Sequence, residues 1–153
     1  LNIGLKNNRG LEIEEAKLAQ RENEVPVGAV IVDIQGNIIS QAHNMTRTSY
    51  DPTSHAEVVA IRVACEKLAN NILSNCDIYI TLEPCLMCSV AISYARIRRV
   101  YFGAYSHELN GKLLEIHSTN FGINSSTYKP EVYGGILEEE SRNLLKLFFK
   151  SKR

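Results

Sequence analysis

The chain has 153 residues, of which 44% are hydrophobic, and its acidic and basic side chains cancel to a formal net charge of zero. That length supports one sizeable core, so the sequence predicts a single domain over residues 1–153, with its core at about residues 11–150. The charge excludes the strongly basic footprint of a general nucleic-acid binder, and four cysteines at this length do not make a disulfide framework.

The first predicted elements are a helix and a β-hairpin. Residues 11–22 mix apolar and charged side chains in the pattern of an amphipathic helix. Residues 25–32 form an apolar run that predicts a buried strand, and residues 38–42 predict its partner. The segment between them, residues 33–37, has the composition of a turn, so the two strands are expected to pair.

Two further helices are predicted to begin beside the residues that carry chemistry. Residues 51–54 contain helix-start residues and open a helix that carries His55 and Glu57 in its first turn. Residues 78–82 predict a third strand, and a helix from about residue 85 to residue 96 follows it. The N-termini of both helices are therefore expected to converge.

The last third of the chain completes a mixed sheet. Residues 100–103 predict a fourth strand and residues 131–133 a fifth, and the polar stretch 104–129 between them predicts a long functional loop. Strands that alternate with helices after a hairpin indicate an α/β sandwich. A final amphipathic helix has one face formed by Leu137, Ser141, Leu144, Leu145, Phe148 and Phe149.

The most informative motif is His-Ala-Glu at residues 55–57, followed by Pro-Cys-Leu-Met-Cys at residues 84–88. His55, Cys85 and Cys88 supply three metal ligands. A structural zinc usually has four protein ligands, whereas a catalytic zinc has three and keeps one position open for water. The spacing matches the H-x-E…P-C-x-x-C signature of zinc-dependent nucleobase deaminases, which predicts one zinc ion per chain. Glu57 is predicted to lie beside the metal and to move protons during hydrolytic deamination.

Other interpretations of these residue types stay open on the sequence alone. A C-x-x-C pair by itself also occurs in redox centres and as half of a structural zinc site. His43, His107 and His117 are not at ligand spacing from the cysteines, so we interpret them as polar or surface histidines. Cys65 and Cys76 are interpreted as small, partly buried thiols.

At the metal motif the sequence resembles the cytidine deaminase-like superfamily, and this resemblance implies a three-layer α/β/α sandwich with a mixed central sheet. Within that superfamily it resembles the bacterial tRNA adenosine deaminases, which convert the wobble adenosine of an arginine tRNA to inosine. The resemblance runs from about residue 14 to residue 153. It is carried by the segments at 24–30 (EVPVGAV), 43–44 (HN), 51–57 (DPTSHAE), 81–88 (TLEPCLMC), 95–97 (ARI), 102–104 (FGA) and 148–150 (FFK).

The resemblance implies a homodimeric zinc enzyme whose substrate is the anticodon arm of tRNA, and it gives the residues of the metal motif the roles described above. It further implies that Asn44 hydrogen-bonds the extruded nucleotide and that Val27 forms an apolar wall against the base. The backbone around Ala56 and Cys85 would hold the water and the substrate. One segment departs from the family pattern, at residues 105–112, where Ser106 occupies the position of a usual aspartate.

Two other function classes are carried forward. A deaminase of a free base, guanine or cytosine, is the first, because guanine deaminases share a run like the one at residues 60–65. A non-catalytic binding subunit with the deaminase fold is the second, although such proteins often lose the glutamate or alter the ligands, and all four residues are present here.

Location and RNA contacts can also be predicted. The sequence contains no apolar run near the length of a bilayer, and its first residues lack a signal-peptide pattern, so a cytoplasmic enzyme without membrane contact is expected.

Two basic clusters are candidates for RNA contacts or, alternatively, solvated helix ends. They consist of Arg96, Arg98 and Arg99, and of Lys146, Lys150, Lys152 and Arg153.

Overall fold

A computed structural model describes residues 10–109 and 128–152, and it contains one five-stranded mixed sheet between two helical layers. Within these residues, no helix combines the length and the apolar character needed to cross a bilayer. In chain order the elements are α1 (Leu11–Arg21), β1 (Gly28–Asp33), β2 (Ile38–His43), α2 (Ala56–Leu68), β3 (Cys76–Leu82), α3 (Leu86–Ala95), β4 (Arg99–Ala104), a 3-10 turn (Ser106–Glu108), β5 (Glu131–Tyr133) and α4 (Glu138–Ser151).

The sheet has the strand order β2-β1-β3-β4-β5. Strand β1 is antiparallel to β2 and β3, whereas β3, β4 and β5 are parallel to one another. Helices α2 and α3 pack against each other on one side of the sheet, and α1 and α4 pack together on the other. The expected three-layer α/β/α sandwich with a mixed central sheet is confirmed.

Small side chains let α2 lie close to the sheet. Ala60 and Ala64 of α2 are fully buried and belong to one apolar cluster with Ile31, Ile78 and Ile80 of β1 and β3. Burying each such isoleucine contributes roughly 1.5–3 kcal/mol relative to leaving it in water. The close packing fixes the N-terminus of α2, and therefore the residues that it carries, relative to the end of β3.

Strand β1 begins at Gly28, three residues later than the apolar run predicts. Pro26 has no backbone N–H, and the Val27 N–H donates to the Val25 carbonyl at 2.8 Å in a tight turn, so this segment cannot join the sheet ladder. A side chain at Gly28 would overlap the backbone carbonyl of Glu12, because α1 crosses there at close range. Val25 and Val27 therefore belong to a connection at the edge of the sheet.

Three tyrosines form a row across the parallel strands. The rings of Tyr79 and Tyr101 are stacked with centroids 4.6 Å apart, and those of Tyr101 and Tyr133 are stacked at 5.3 Å. Gly103, two residues after Tyr101 on the same face of β4, lies against Ser141 of α4. The row therefore lies on the side of the sheet that α4 covers, opposite to α2 and α3.

Candidate metal centre

The N-termini of α2 and α3 meet at the edge of the sheet where β3 ends. His55 and Cys85 are the residues immediately before the two helices, and both have extended backbone, with ψ of 153° and 171°. His55 is thus a helix-capping residue and not a first-turn residue, whereas Glu57 lies in the first turn as predicted. Cys88 is fully buried in the first turn of α3. The partial positive charge of helix N-termini favours the thiolate form of cysteines placed there.

The three predicted ligands lie at the spacing that a zinc ion requires. Nδ1 of His55 is 3.5 Å from Sγ of Cys85 and 3.5 Å from Sγ of Cys88. In a tetrahedral zinc site with Zn–S near 2.3 Å and Zn–N near 2.0–2.1 Å, the nitrogen and each sulfur are roughly 3.6 Å apart. Within the described chain the cluster has these three members, with donor atoms within 4.8 Å of one another. The donor set therefore fits a zinc ion that keeps one position open.

The two thiols have opposite proton affinities. A hydrogen bond from Cys88, helped by His55, lowers the pKa of Cys85 to about 4. The same hydrogen bond raises the pKa of Cys88. Cys85 is therefore a thiolate at neutral pH, which is the form that binds a metal.

Glu57 is buried beside the three donors and is not a member of the cluster. Burial raises the pKa of its carboxyl to about 7. A carboxyl group whose pKa is near the working pH can both accept and release a proton, which is what a general acid–base requires. The position and the environment of Glu57 thus suit the proton shuttle predicted from the sequence.

A cavity of about 170 Å³ opens onto the metal centre. Its lining contains the three residues that the resemblance implies for substrate binding, namely Val27, Asn44 and Ala56, together with His55, Glu57 and Cys85. Sequence reasoning missed the other lining residues. Three of them, Val25, Leu82 and Glu83, lie inside segments that carry the resemblance, and Thr46 lies two residues after Asn44.

A buried glutamate next to the cavity was not predicted either. Glu24 is fully buried, and its carboxylate accepts hydrogen bonds from the Asn44 amide at 3.1 Å and from the backbone N–H groups of Arg47 and Thr48, both at 2.7 Å. Asn44 donates through its nitrogen, so its side-chain oxygen is directed elsewhere. The sequence signal was a charged residue placed directly before an apolar run.

A second buried carboxylate holds the start of the segment that departs from the family pattern. Glu83 lines the cavity and accepts hydrogen bonds from the Ser106 N–H at 3.1 Å and from its hydroxyl at 2.7 Å. The residue at the usual aspartate position is therefore a donor that ties β4 to the turn before α3. The rest of the segment, beyond Leu109, lies outside the described residues.

The described histidines and arginines that were singled out elsewhere in the sequence are not members of the donor cluster. His43 contacts Glu15 of α1 at 2.8 Å and Glu22, directly after α1, at 3.0 Å. His107 is exposed. His117 and Arg153 are outside the described residues. Two arginines of the first basic cluster are paired with carboxylates: Arg98 with Asp77 at 2.7 Å and Arg99 with Glu131 at 2.7 Å.

Comparison with known proteins agrees with this geometry. Residues 10–104 match the family described as the cytidine and deoxycytidylate deaminase zinc-binding region. The fold, the three donors and the adjacent carboxylate together define a zinc-dependent deaminase.

Within that class the chain belongs to the family of tRNA-specific adenosine deaminases. The enzyme of that name from Agrobacterium fabrum is 44% identical over 94% of this chain and 92% of its own. A solved structure from work on A-to-I editing by tRNA:A34 deaminases at the wobble position is 44% identical, with a TM-score of 0.79, over 88% of this chain and 96% of that one. A guanine deaminase from Bacillus subtilis is 40% identical, with a TM-score of 0.60, over 63% of this chain and 62% of that one. The resemblance seen in the sequence is confirmed.

Proposed function

We propose that this protein hydrolyses the wobble adenosine of a tRNA anticodon loop to inosine, with release of ammonia. The observation that carries the proposal is the cavity that joins His55, Cys85 and Glu57 to Asn44, because it places a metal centre, a buried proton carrier and an amide in one enclosure. The relatives that align along nearly the whole chain are named for this activity.

Zinc, when held by His55, Cys85 and Cys88, supplies a water molecule that is acidic enough to act as a nucleophile at neutral pH. Glu57 would take one proton from that water and deliver it to a ring nitrogen of the adenine, where it stays in the product. Glu57 would then carry the second proton, from the new C6 hydroxyl, to the departing amine. The C6–N bond breaks, a C6–O bond forms, and the water and adenosine become inosine and ammonia. One carboxyl group serves each transfer, so no second acid is needed.

The other lining residues hold the base in place. Asn44 hydrogen-bonds the nucleotide through the side-chain oxygen that Glu24 leaves unused, and Val27 packs against the plane of the ring. Ala56, the first residue of α2, lines the same cavity, and we expect its backbone to contact the water and the base edge. A base can reach this cavity only after it leaves its stack, which is least costly in a single-stranded loop.

A free base is the competing substrate, and the guanine deaminase of Bacillus subtilis is the observation that favours it. That similarity covers 63% of this chain, whereas the similarity to the A34 deaminase structure covers 88%. The wider coverage supports RNA as the substrate. The non-catalytic alternative is not supported, because the ligands and the buried Glu57 lie together.

We further propose that the described residues form one catalytic domain and that two copies assemble as a homodimer in the cytoplasm, where tRNA is modified. Helix α3 has no charged residue along its ten positions, and Tyr94 on it is 78% exposed. Met87, Val90 and Ala91 of the same helix are partly exposed. An apolar outer helix face of this kind suits a symmetric interface between identical chains.

The decisive experiment compares zinc-loaded wild type with Glu57→Gln on an anticodon stem-loop that carries adenosine at the wobble position, with guanine, cytosine and adenosine in parallel. We expect inosine in the RNA only, and a fall in kcat of about 10²- to 10⁴-fold for the variant because its amide cannot carry a proton. The zinc content of the two proteins should be equal. Turnover of guanine or cytosine with unmodified RNA would establish the free-base alternative, and full activity of the variant would rule out the proton-shuttle role.

A further inference from the structure

The loop between Asn44 and His55, two residues that line the cavity, presents an aromatic ring to solvent. Residues 44–54, which we call the site loop, begin at the cavity-lining residue Asn44 and end directly before His55, which also lines the cavity. Tyr50 in the site loop is 95% exposed, more than any other large hydrophobic side chain among the described residues. Its ring is therefore available to a ligand of the neighbouring cavity.

The site loop holds Tyr50 in a fixed place. The Glu24 carboxylate accepts the Arg47 and Thr48 N–H groups at 2.7 Å each. The N–H of Asp51, which follows Tyr50, donates at 3.0 Å to the carbonyl of Thr46, and Thr46 lines the cavity. The ring thus projects from a residue whose neighbour is hydrogen-bonded to the cavity wall.

The conformation of Tyr50 is unfavourable for folding. Its φ is 53°, in the left-handed region where a residue with a side chain is strained, and its ring buries almost no surface in return. Strain of this kind collects at ligand-binding positions because the surrounding structure imposes it. Neither packing nor backbone preference accounts for a tyrosine here.

The chemistry around the ring matches single-stranded RNA. Unstacked bases pack on aromatic side chains, and arginine pairs with phosphate. Arg47, in the same loop, is exposed, and its side chain reaches the Asn23 carbonyl by a hydrogen bond of 3.4 Å, which is long enough to yield to a phosphate.

We propose that Tyr50 is a substrate-positioning residue whose ring stacks on a nucleotide next to the target adenosine, while Arg47 faces the adjacent phosphate. This rests on the proposed function, because it assumes that the substrate is an RNA loop. A flanking base held on the ring would keep the extruded adenosine directed into the cavity. Such a contact acts on RNA and not on a free base.

The test measures kcat and KM on the anticodon stem-loop for zinc-loaded wild type, Tyr50→Ala, Tyr50→Phe and Tyr50→Trp. Tyr133→Ala is the matched control, since Tyr133 is a 46% exposed tyrosine on the opposite side of the sheet. We expect Tyr50→Ala to raise KM about tenfold with kcat unchanged, and the two aromatic variants to restore KM. The affinity for labelled stem-loop, measured by fluorescence anisotropy on the Glu57→Gln background to prevent turnover, should fall about tenfold as well.

Several results would overturn the assignment. Tyr50→Ala that behaves like Tyr133→Ala would show that the ring has no role. Loss of activity that follows dissociation of an oligomer, detected by light scattering, would make Tyr50 a contact between copies of the chain. Wild type that leaves the RNA unmodified would remove the proposed function and this role together, whereas normal wild-type turnover with an unaffected Tyr50→Ala would remove this role alone.

Discussion

The two ends of β3 bury carboxylates in different ways. At its start, Asp77 is buried and accepts two hydrogen bonds from the Arg98 guanidinium, at 2.9 and 2.7 Å. Just past its other end, Glu83 is equally buried but accepts from the amide and hydroxyl of Ser106, and Glu24 nearby accepts from amides and hydroxyls of the site loop. One end neutralises its charge with a cation, and the other retains it with neutral donors.

The difference separates a stabilising contact from a functional one. A guanidinium–carboxylate pair holds two strands together and cancels the field of the acid. Carboxylates bound by neutral donors instead place negative charge beside the cavity, which attracts a cation such as zinc, and their hydrogen bonds hold loops in place. If this comparison is correct, removing charge at the two ends should have different effects on stability and on activity.

The largest effect is expected from Glu24→Gln. The new NH₂ group would face a donor in either orientation, namely the backbone N–H groups of Arg47 and Thr48 or the Asn44 amide. At least one buried donor therefore loses its acceptor, which costs about 2–3 kcal/mol of the free energy of unfolding. Urea denaturation at pH 7 measures that loss, and KM for the stem-loop should rise because Asn44 and the site loop lose their anchor. Glu14→Gln, an exposed glutamate on α1, is the matched control and should stay within about 0.5 kcal/mol. An unchanged KM in a folded Glu24→Gln protein would contradict the positioning role.

A smaller effect is expected at the other end of β3. Asp77→Asn keeps one hydrogen bond to Arg98 but removes the ionic attraction of a pair whose arginine is 35% exposed, so stability should fall by about 1 kcal/mol. Because the site lies beyond the opposite end of the strand, kcat and KM should match those of wild type. Salt should weaken the wild-type pair and narrow the difference between the two proteins. A KM change as large as that of Glu24→Gln would remove the distinction between the two ends.

The smallest effect concerns pH and the contact of β2 with α1. Burial lowers the pKa of His43, but the hydrogen bonds to Glu15 and Glu22 outweigh it and raise the pKa above 6.5. A raised pKa in the folded state means that the contribution is complete below pH 6.5 and is lost as the pH rises through the higher value. The stability difference between wild type and His43→Gln should therefore be on the order of 1 kcal/mol at pH 5.5 and shrink by pH 8.5. A stability difference that grows with pH would show that His43 is neutral in the folded protein across this pH range.

The metal residues could be predicted because their local sequence determines where they lie. Helix-start residues near His55 and Cys85 place both at helix N-termini. The short spacing between Cys85 and Cys88 then puts the two thiols within one helical turn of each other. The five strands were recognised from apolar runs for the same reason. The start of β1 was placed three residues too early, because the tight turn at Pro26 removes Val25 and Val27 from the ladder, and the start of β3 was placed two residues too late.

The hydrogen-bond networks could not be predicted, since their partners are distant in sequence. The groups that donate hydrogen bonds to Glu24 lie 20 to 24 residues later in the chain, and no pattern in the sequence specifies that pairing. Charge clusters were equally uninformative: Arg98 and Arg99 were candidates for RNA contacts or for a solvated helix end, yet each is paired with an acid, Asp77 of β3 and Glu131 of β5. A count of charges gives no information about which of them remain free.

The row of tyrosines gives the protein an internal optical reporter. The chain contains no tryptophan, so its near-ultraviolet signal comes mainly from tyrosine. The two stacked pairs in that row connect β4 to the strands on either side of it. Coupled rings produce a circular dichroism signal that disappears when their geometry is lost. Strand β5 is only three residues long, and β4 is its one partner among the described strands. Its detachment would therefore be visible in unlabelled protein, before the rest of the sheet unfolds.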